Sequence, residues 1–194
     1  MSTLTRQVHV HDEGISLENL PFADGTLVTA IMTPITHATI MYQHTTHGYT
    51  ISTDPQKMDP EAIYEAIHNY LERSYWAGGR TKATVEKSLR HSLNFGVFSP
   101  EDSLIGFARV VTDYASFAYL ADVYILEEHR GKGLSKWLMQ TIMEHPDLQG
   151  LRRWLLATRD AHGLYAQFGF TPLLAPERWM QIFDPTANPP VTEQ

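Results

Sequence analysis

The feature that most limits how this chain can fold is a glycine-rich, basic loop between two differently patterned runs. Residues 119–126 are rich in aromatic and β-branched side chains, a composition that favours a strand. After the loop, apolar side chains recur at helical spacing between Leu134 and Ile142. Backbone N–H groups at the start of a helix lack intrahelical acceptors, and the helix dipole adds positive charge there. Residues 128–136 are therefore predicted to bind an anion such as a phosphate group.

The spacing of the glycines distinguishes three motifs that bind phosphate. A P-loop requires G-x-x-x-x-G-K-[ST], and no glycine stands at the required distance upstream of Gly131. A dinucleotide fingerprint requires G-x-G-x-x-G, and here Lys136 occupies the third glycine position. The remaining pattern is Arg130-x-x-Gly133-x-Ser135. It resembles the acetyl-CoA loop of the GNAT superfamily of N-acetyltransferases, written [RQ]-x-x-G-x-[GA], with serine at the last position.

A second motif lies further along the chain. Residues 161–170 resemble the A-x-x-L-Y-x-x-x-G-F segment of the same superfamily, with Tyr165 at the tyrosine position. Over residues 48–183 the predicted elements are strand, helix, helix, three strands, helix, strand, helix and strand, which is the order of the GNAT fold. The resemblance implies an α/β (α+β) domain with a mixed, mostly antiparallel sheet flanked by helices. A splayed parallel strand pair in that sheet would hold acetyl-CoA.

Local signals place several elements of this domain. Asp59 followed by proline predicts a helix start, and Thr81 is expected to cap a second helix. The glycine break between these helices, residues 75–80, reads YWAGGR and resembles a small, mostly uncharacterised branch of the superfamily. Residues 177–183 are predicted to form the last strand.

The two ends of the chain are predicted to lie outside the domain. Residues 1–47 are expected to be an extension, and its two β-like runs, Leu27–Met32 and residues 39–42, are candidates for a hairpin. Residues 184–194 contain three prolines and are expected to form a flexible tail.

The resemblance assigns a set of residues to acetyl-CoA. In that family the pantetheine arm pairs like an additional strand, which assigns Val123, Tyr124 and Ile125 to the arm. A backbone N–H in this segment would face the oxyanion that develops on the thioester carbonyl. The loop would hold the pyrophosphate through its N–H groups, with lysine side chains either at the phosphates or in solvent. The loop residues assigned in this way are Arg130, Gly131, Lys132, Gly133, Leu134 and Ser135.

Two further residues are assigned to proton transfer. Asp122 lies where members of the family often place a carboxylate, so it is the candidate base for the acceptor amine, either directly or through water. A structural role as an acceptor for a neighbouring strand or loop is the alternative. Tyr165 matches the family tyrosine that protonates the departing CoA thiolate, and the alternative is that it packs beside CoA without transferring a proton.

The acceptor side is assigned to Tyr75, Trp76 and Arg80, because the glycine break borders the substrate opening in the family. Aromatic walls and one guanidinium suit a substrate with an apolar part and a carboxylate. The alternative is that Trp76 belongs to the core and that Arg80 pairs locally. Arg109 and Tyr114 are weaker candidates.

Composition limits the remaining function classes. The chain of 194 residues has no cysteine, which excludes thiolate metal sites and a cysteine nucleophile. Its formal net charge of −7 disfavours nucleic acid and anionic membranes as partners. Ten scattered histidines do not predict a metal site. The absence of an apolar run of signal-peptide or membrane-span length leads us to expect a cytoplasmic protein.

These observations together favour an acetyl-CoA-dependent N-acetyltransferase that moves the acetyl group to a primary amine of a small molecule, without a covalent intermediate. Two alternatives stay open. One is a CoA-binding sensor or interaction module with little catalysis, and the other is an acetyltransferase of protein N-termini or lysines. A homodimer is also left open.

Overall fold

The computed structural model describes residues 39–43, 48–59, 61–184 and 187, together with the backbone of three short strands nearer the N-terminus. Nine strands are present in the described chain. In chain order they are β1 (Thr5–Arg6), β2 (Ser16–Pro21), β3 (Leu27–Met32), β4 (Met41–Gln43), β5 (Thr50–Ser52), β6 (Leu93–Phe98), β7 (Leu104–Thr112), β8 (Phe117–Ile125) and β9 (Arg153–Leu155). The helices are α1 (Pro55–Met58), α2 (Glu61–Glu72), α3 (Lys82–Arg90), α4 (Leu134–Met143) and α5 (His162–Ala166).

Seven of the strands form one mixed sheet in the order β1-β4-β5-β6-β7-β8-β9. Every neighbouring pair is antiparallel except β8 and β9, which are parallel and are joined through α4. The three strands predicted in the middle of the domain are β6, β7 and β8, which form an antiparallel meander, and the expected mixed, mostly antiparallel sheet flanked by helices is confirmed. No helix in the described residues is long and apolar enough to cross a membrane.

The helices cover the two faces of the sheet and enclose two cores. Helices α1, α2 and α3 lie on one face, where Ile67, Leu71 and Val85 pack against Phe107 and Tyr124. Helix α4 covers the other face with Leu134, Trp137, Leu138, Met139 and Ile142, all buried. This division follows the strand period of two, because alternate residues of β6 and β7 point to opposite faces.

The helix signals in the sequence agree with the structure at two positions. Helix α2 begins at Glu61, directly after the predicted start, and Thr81 caps α3 by accepting the backbone N–H of Thr84 at 3.2 Å. A short helix that the sequence did not predict, α1, is capped by Asp54, whose carboxylate accepts the N–H of Gln56 at 2.9 Å.

The expected hairpin between the two N-terminal β-like runs is not formed. The run Leu27–Met32 pairs with Ser16–Pro21, and the run at residues 39–42 supplies β4 instead of completing a hairpin with it. Both edges of β4 are occupied, one by β1 and the other by β5, so no edge is left for Leu27–Met32. The N-terminal strands β1 and β4 thereby extend the main sheet.

The predicted last strand is also absent from the described chain. Residues Pro176–Arg178 form a single 3-10 turn, and residues 179–183 have no ladder partner in the part of the chain that the structure describes. Pro176 opens the turn, and its fixed φ and missing N–H favour a turn over a paired strand. Of the proposed tail, residues 185–186 and 188–194 lie outside the described residues.

Candidate active site

A bulge in strand β8 defines the centre of the site. Phe107 of β7 faces Tyr124, but Arg109 faces Ala121, so Asp122 and Val123 together face the single residue Ala108. Asp122 takes a left-handed conformation with φ 55°, which is uncommon for a residue other than glycine but is best tolerated by aspartate and asparagine. The bulge therefore redirects the chain at the position that the sequence assigns to the catalytic base.

Two guanidinium groups hold the Asp122 carboxylate. Arg109 Nε donates to Oδ2 at 2.7 Å, and Arg80 Nη1 donates to Oδ1 at 3.1 Å. The Asp122 side chain is only 2% exposed, whereas that of Arg80 is 25% exposed. Arg109 also donates from Nη1 to Ser92 Oγ at 3.2 Å. The structure thus joins Asp122, the candidate base, to Arg80, which the sequence assigns to the acceptor side. It also joins Asp122 to Arg109, which the sequence made a weaker candidate for the acceptor side.

This arrangement bears on what Asp122 can do. A carboxylate whose two oxygens already accept charged donors has less capacity to accept a proton from an amine. The contacts match the structural alternative, in which Asp122 accepts from neighbouring elements. They place Asp122 as a group that orients Arg80 and Arg109, while its role as a base stays a prediction.

Beyond the bulge, strand β8 has an open edge. Strand β9 pairs with it in only three positions, from Phe117 opposite Arg153 to Tyr119 opposite Leu155. No other strand in the described chain lies on that side of residues 120–125. In an antiparallel ladder alternate residues direct their N–H and C=O groups to the outer side. The cleft between β8 and β9 therefore offers backbone donors and acceptors beside Val123, Tyr124 and Ile125.

The glycine loop begins where β8 ends. Gly131 and Gly133 have φ of 76° and 78°, and Gly133 is the residue that precedes α4. This left-handed conformation strains any side chain other than glycine, which explains the two glycines. In the described chain, the backbone N–H groups of residues 131–136 donate no hydrogen bond to another group of the protein. These N–H groups, at the start of a helix of ten residues, fit the predicted phosphate site.

The basic side chains of the loop are directed elsewhere. Arg130 donates from Nη2 to Glu127 Oε1 at 2.7 Å and from Nε to the Ile125 carbonyl at 3.1 Å. Lys132 donates from Nζ to the Tyr49 hydroxyl at 2.8 Å, which ties the loop to the residue before β5, at the same end of the sheet. Both side chains keep unused N–H donors in these contacts, so their part in phosphate binding stays a prediction, whereas the backbone N–H groups already point away from the protein's own acceptors.

Tyr165 lies on α5, on the far side of the cleft from β8. Its ring packs edge-on against Phe170, with 5.9 Å between ring centroids. Burial raises the pKa of Tyr165 to about 12, and the nearby Tyr75 and Asp160 act in the same direction. Because the pKa is raised, the phenol keeps its proton throughout the neutral and mildly alkaline range.

Two polar contacts join the acceptor side to the segment that carries Tyr165. The Tyr75 hydroxyl donates to Asp160 Oδ1 and accepts the backbone N–H of Arg159, both at 3.1 Å. The Arg159 guanidinium lies over the Tyr75 ring, 3.8 Å from its centroid. Sequence reasoning identified Tyr75 but missed Arg159 and Asp160. The only signal for them is their position, between a predicted strand and the motif at residues 161–170.

The other aromatic residue of the glycine break is half exposed. Trp76 is 37% exposed and packs edge-on against Tyr75, with 5.0 Å between centroids. Tyr70 lies between Trp76 and the sheet, and it stacks on Tyr124 at 3.7 Å. Trp76 is therefore a surface residue rather than a core residue, and its place in the wall of an acceptor site stays a prediction.

Tyr114 does not join these residues. It lines a cavity of about 720 Å³ near the ends of β6 and β7, together with Tyr64, Ser92 and Asn94. Ser92 connects this cavity to Asp122 through Arg109. No group of His, Asp and Glu side chains in the described residues could hold a metal ion.

With this geometry established, comparison with known proteins identifies the family. Residues 57–170 match the model of the acetyltransferase (GNAT) family. The chain belongs to the GNAT family of acetyltransferases. A Gibberella zeae protein named as a candidate acetyltransferase is 34% identical over 146 residues, which cover 64% of this chain and 80% of that protein.

Solved structures agree with this assignment. A candidate GNAT-family acetyltransferase from Xanthomonas campestris pv. campestris is 48% identical to this GNAT protein, with a TM-score of 0.68. The similarity covers 73% of this chain and 96% of that one. A candidate acetyltransferase from Deinococcus radiodurans R1 is 16% identical to this protein, with a TM-score of 0.56. The matched region covers 75% of this chain and 94% of that one. At that identity the likeness shows the fold alone.

Proposed function

We propose that this GNAT protein transfers the acetyl group of acetyl-CoA to the primary amine of a small molecule, by direct attack in a ternary complex. The observation that carries the proposal is the path of β8. One strand leads from the bulge at Asp122, along an open edge, into the loop at Gly131 and Gly133. The thioester, the extended pantetheine arm and the pyrophosphate of acetyl-CoA can lie along that path in the order in which they follow one another in the molecule.

The binding part of the mechanism rests on backbone groups. The N–H groups of residues 131–136 hold the pyrophosphate at the start of α4. The outer edge of β8 pairs with the amides of the pantetheine arm, as a strand would. One N–H beyond the bulge then donates to the thioester oxygen as negative charge develops on it. Main-chain donors fixed in a sheet need no reorganisation during the reaction.

In the chemical step, the neutral amine nitrogen forms a bond to the thioester carbon, the carbon–sulfur bond breaks, the nitrogen loses one proton to solvent water, and the thiolate accepts a proton from a donor that solvent then reprotonates. Tyr165 supplies that proton from the other side of the cleft. Its pKa of about 12 keeps the proton available, but it also makes the phenol a weaker acid than a thiol with a pKa of about 8.5. Tyr165 is therefore expected to contribute modestly to the rate.

The state of Asp122 bears on which amine reacts. Deprotonating a lysine-like amine at pH 7 costs roughly 4 to 5 kcal/mol, whereas the α-amine of a peptide, with a pKa near 8, costs about 1 kcal/mol, and the α-amine of a free amino acid lies between the two. A carboxylate occupied by Arg80 and Arg109 gives little help with the larger cost. The site therefore favours the α-amine of an amino-acid-like molecule.

Arg80 and the aromatic wall support the same acceptor class. Among the described contacts, the guanidinium of Arg80 uses only Nη1 to bind Asp122, which leaves Nε and Nη2 for a carboxylate. Trp76 and Tyr75 present apolar surface beside it. An α-amino acid with an apolar side chain would match all three groups.

The experiment that tests this function measures thiol release from acetyl-CoA with a panel of amines. We expect release with apolar α-amino acids and much less with simple alkylamines of pKa above 10. Binding of CoA by calorimetry without release for any acceptor would support the sensor alternative instead. Release with peptides alone, through an N-terminal or lysine amine, would support the protein acetyltransferase.

A further inference from the structure

Tyr49 is a buried phenol that the proposed reaction does not use. It lies directly before β5 and belongs to the core beneath α4, where it is 4% exposed. Its hydroxyl accepts a hydrogen bond from Lys132 Nζ at 2.8 Å and lies 2.9 Å from His129 Nδ1. Both partners belong to the glycine loop, 80 and 83 positions later in the chain. One core side chain therefore contacts the loop at two points.

The hydroxyl of Tyr49 can serve both partners at once. A lysine ammonium only donates, so Lys132 uses a lone pair of the phenol oxygen. The phenol keeps its own hydrogen, which it can donate to Nδ1 of a neutral His129 ring that carries its proton on Nε2. The rings of Tyr49 and His129 also meet edge to face, with 5.7 Å between their centroids. Packing and hydrogen bonding thus act together at this contact.

The two contacts lie on either side of the first glycine of the loop. His129 ends the 3-10 turn Glu127–His129, whereas Lys132 lies between Gly131 and Gly133. Glycine restricts the backbone less than any other residue. A Cβ added at either glycine would meet no atom within 4 Å, so no neighbouring side chain confines the loop at these two positions. The loop depends instead on contacts such as the one between Lys132 and Tyr49.

We propose that Tyr49 is a positioning residue for acetyl-CoA, which holds Lys132 and His129 so that the N–H groups of the loop face the pyrophosphate before the ligand arrives. A site that is formed in only a fraction of the molecules binds its ligand more weakly by that fraction. Tyr49 keeps this fraction high, and Lys132 contributes through Tyr49 rather than by touching a phosphate. The inference rests on the proposed function, because its ligand is acetyl-CoA.

The test is a double-mutant cycle on the Kd for acetyl-CoA, measured by calorimetry in high salt, which screens exposed charges. We expect Tyr49→Phe to raise the Kd about fivefold, a factor typical of the loss of one hydrogen bond, and Lys132→Met to raise it similarly. Both substitutions break the same contact, so the double variant should bind no more weakly than either single variant.

Direct contact between Lys132 and a phosphate would give a different result. In that case Tyr49→Phe would free the ammonium for the ligand, so the Kd would stay the same or fall, and only Lys132→Met would raise it. That pattern overturns the proposal. A double variant whose loss of affinity is the product of the two single losses also overturns it, because the two residues would then act independently.

The control variant separates positioning from a general loss of stability. Tyr42→Phe removes another phenolic hydroxyl from the same core, at 1% exposure on β4, and should leave the Kd unchanged whatever its effect on urea unfolding. A rise equal to that of Tyr49→Phe would make Tyr49 a merely structural residue. Failure of the wild-type protein to bind acetyl-CoA would remove the proposed function together with this inference. Wild-type binding with an unchanged Kd in Tyr49→Phe would remove the positioning role alone.

Discussion

Asp122 connects an irregularity of the backbone to the charged groups of the site. A left-handed residue inside a strand costs of order 1 to 3 kcal/mol and persists only when its surroundings hold it. Here the surroundings are Arg80 from the helix connection and Arg109 from the adjacent strand. The strained residue also sets the point at which β8 turns its edge toward the cleft. We infer that Asp122 positions both the backbone and the two guanidinium groups.

Replacing this aspartate distinguishes positioning from base catalysis. In Asp122→Asn the left-handed conformation is retained, but two guanidinium groups lose their counter-charge, so we expect stability to fall by about 2 to 4 kcal/mol. Urea unfolding measures this loss. If Asp122 positions Arg80 and Arg109, kcat/KM falls by the same factor at pH 6.5 and at pH 8.5. A loss concentrated at low pH would instead identify the general base, and Asp113→Asn, in an exposed turn, should leave kcat/KM unchanged.

Tyr165 is predicted to act through its proton. We expect Tyr165→Phe to lower kcat about tenfold while the Kd for acetyl-CoA stays the same, because the ring and its packing are retained. Because the pKa of Tyr165 is raised to about 12, the phenol stays protonated below that value. The wild-type rate should therefore not fall between pH 7 and pH 10 through ionisation of Tyr165. Thiol-release rates across that range measure both effects. Unchanged turnover of the variant would remove the acid role, and Tyr114→Phe serves as the control outside the site.

At the scale of elements, the glycine loop is the part of the site most dependent on backbone conformation. In Gly133→Ala the added methyl meets no atom within 4 Å, but φ of 78° costs about 1 to 2 kcal/mol, so the loop relaxes and its N–H groups diverge. We expect the Kd for acetyl-CoA to rise at least tenfold in calorimetry. The matched control is Gly150→Ala, which has φ of 74°, equally open space and no part in the site. Equal effects of the two changes would show that the loop conformation does not matter for binding.

The acceptor side also depends on a contact between two elements, the glycine break and the segment before α5. Tyr75→Phe removes both hydrogen bonds that tie the break to Arg159 and Asp160, while the ring remains. Because this contact lies on the acceptor side, we expect the KM for the amine to rise several-fold with no change in the Kd for acetyl-CoA. Steady-state kinetics at saturating acetyl-CoA measure the KM for the amine. Tyr64→Phe, which loses one hydrogen bond to the exposed Asp59, is the control.

The elements themselves were largely predictable from the sequence, and their partners were not. The meander, the Thr81 cap and the loop before α4 follow from local signals within a few residues. The pairing of Leu27–Met32 and the absence of a ladder partner for residues 179–183 in the described chain depend on which sheet edges are free, a property of the whole molecule. The same limit applies within the site. The sequence marked Asp122 and Tyr75, but the bulge and the contacts with Arg109 and Asp160 join residues 13 and 85 positions apart.

At the scale of the whole molecule, the site is assembled from segments that meet only in the folded state. The loop, the edge of β8 and the segment that carries Tyr165 come from residues 120–170, while the wall comes from residues 70–80. An unfolded chain cannot present these groups together, so acetyl-CoA should bind only the folded protein. Binding must then raise the stability of the whole fold by mass action.

This linkage gives a prediction that requires no knowledge of the acceptor. At a free concentration of 100 times its Kd, acetyl-CoA should stabilise the protein by about 2.7 kcal/mol. For a chain of this length that corresponds to a rise in Tm of roughly 5 to 10 °C, measured by differential scanning fluorimetry. At the same concentration Gly133→Ala, with a tenfold higher Kd, should gain only about 1.4 kcal/mol, whereas Gly150→Ala should gain the full amount. A Tm that does not respond to acetyl-CoA would contradict the assignment of the loop and cleft, whichever amine the protein acetylates.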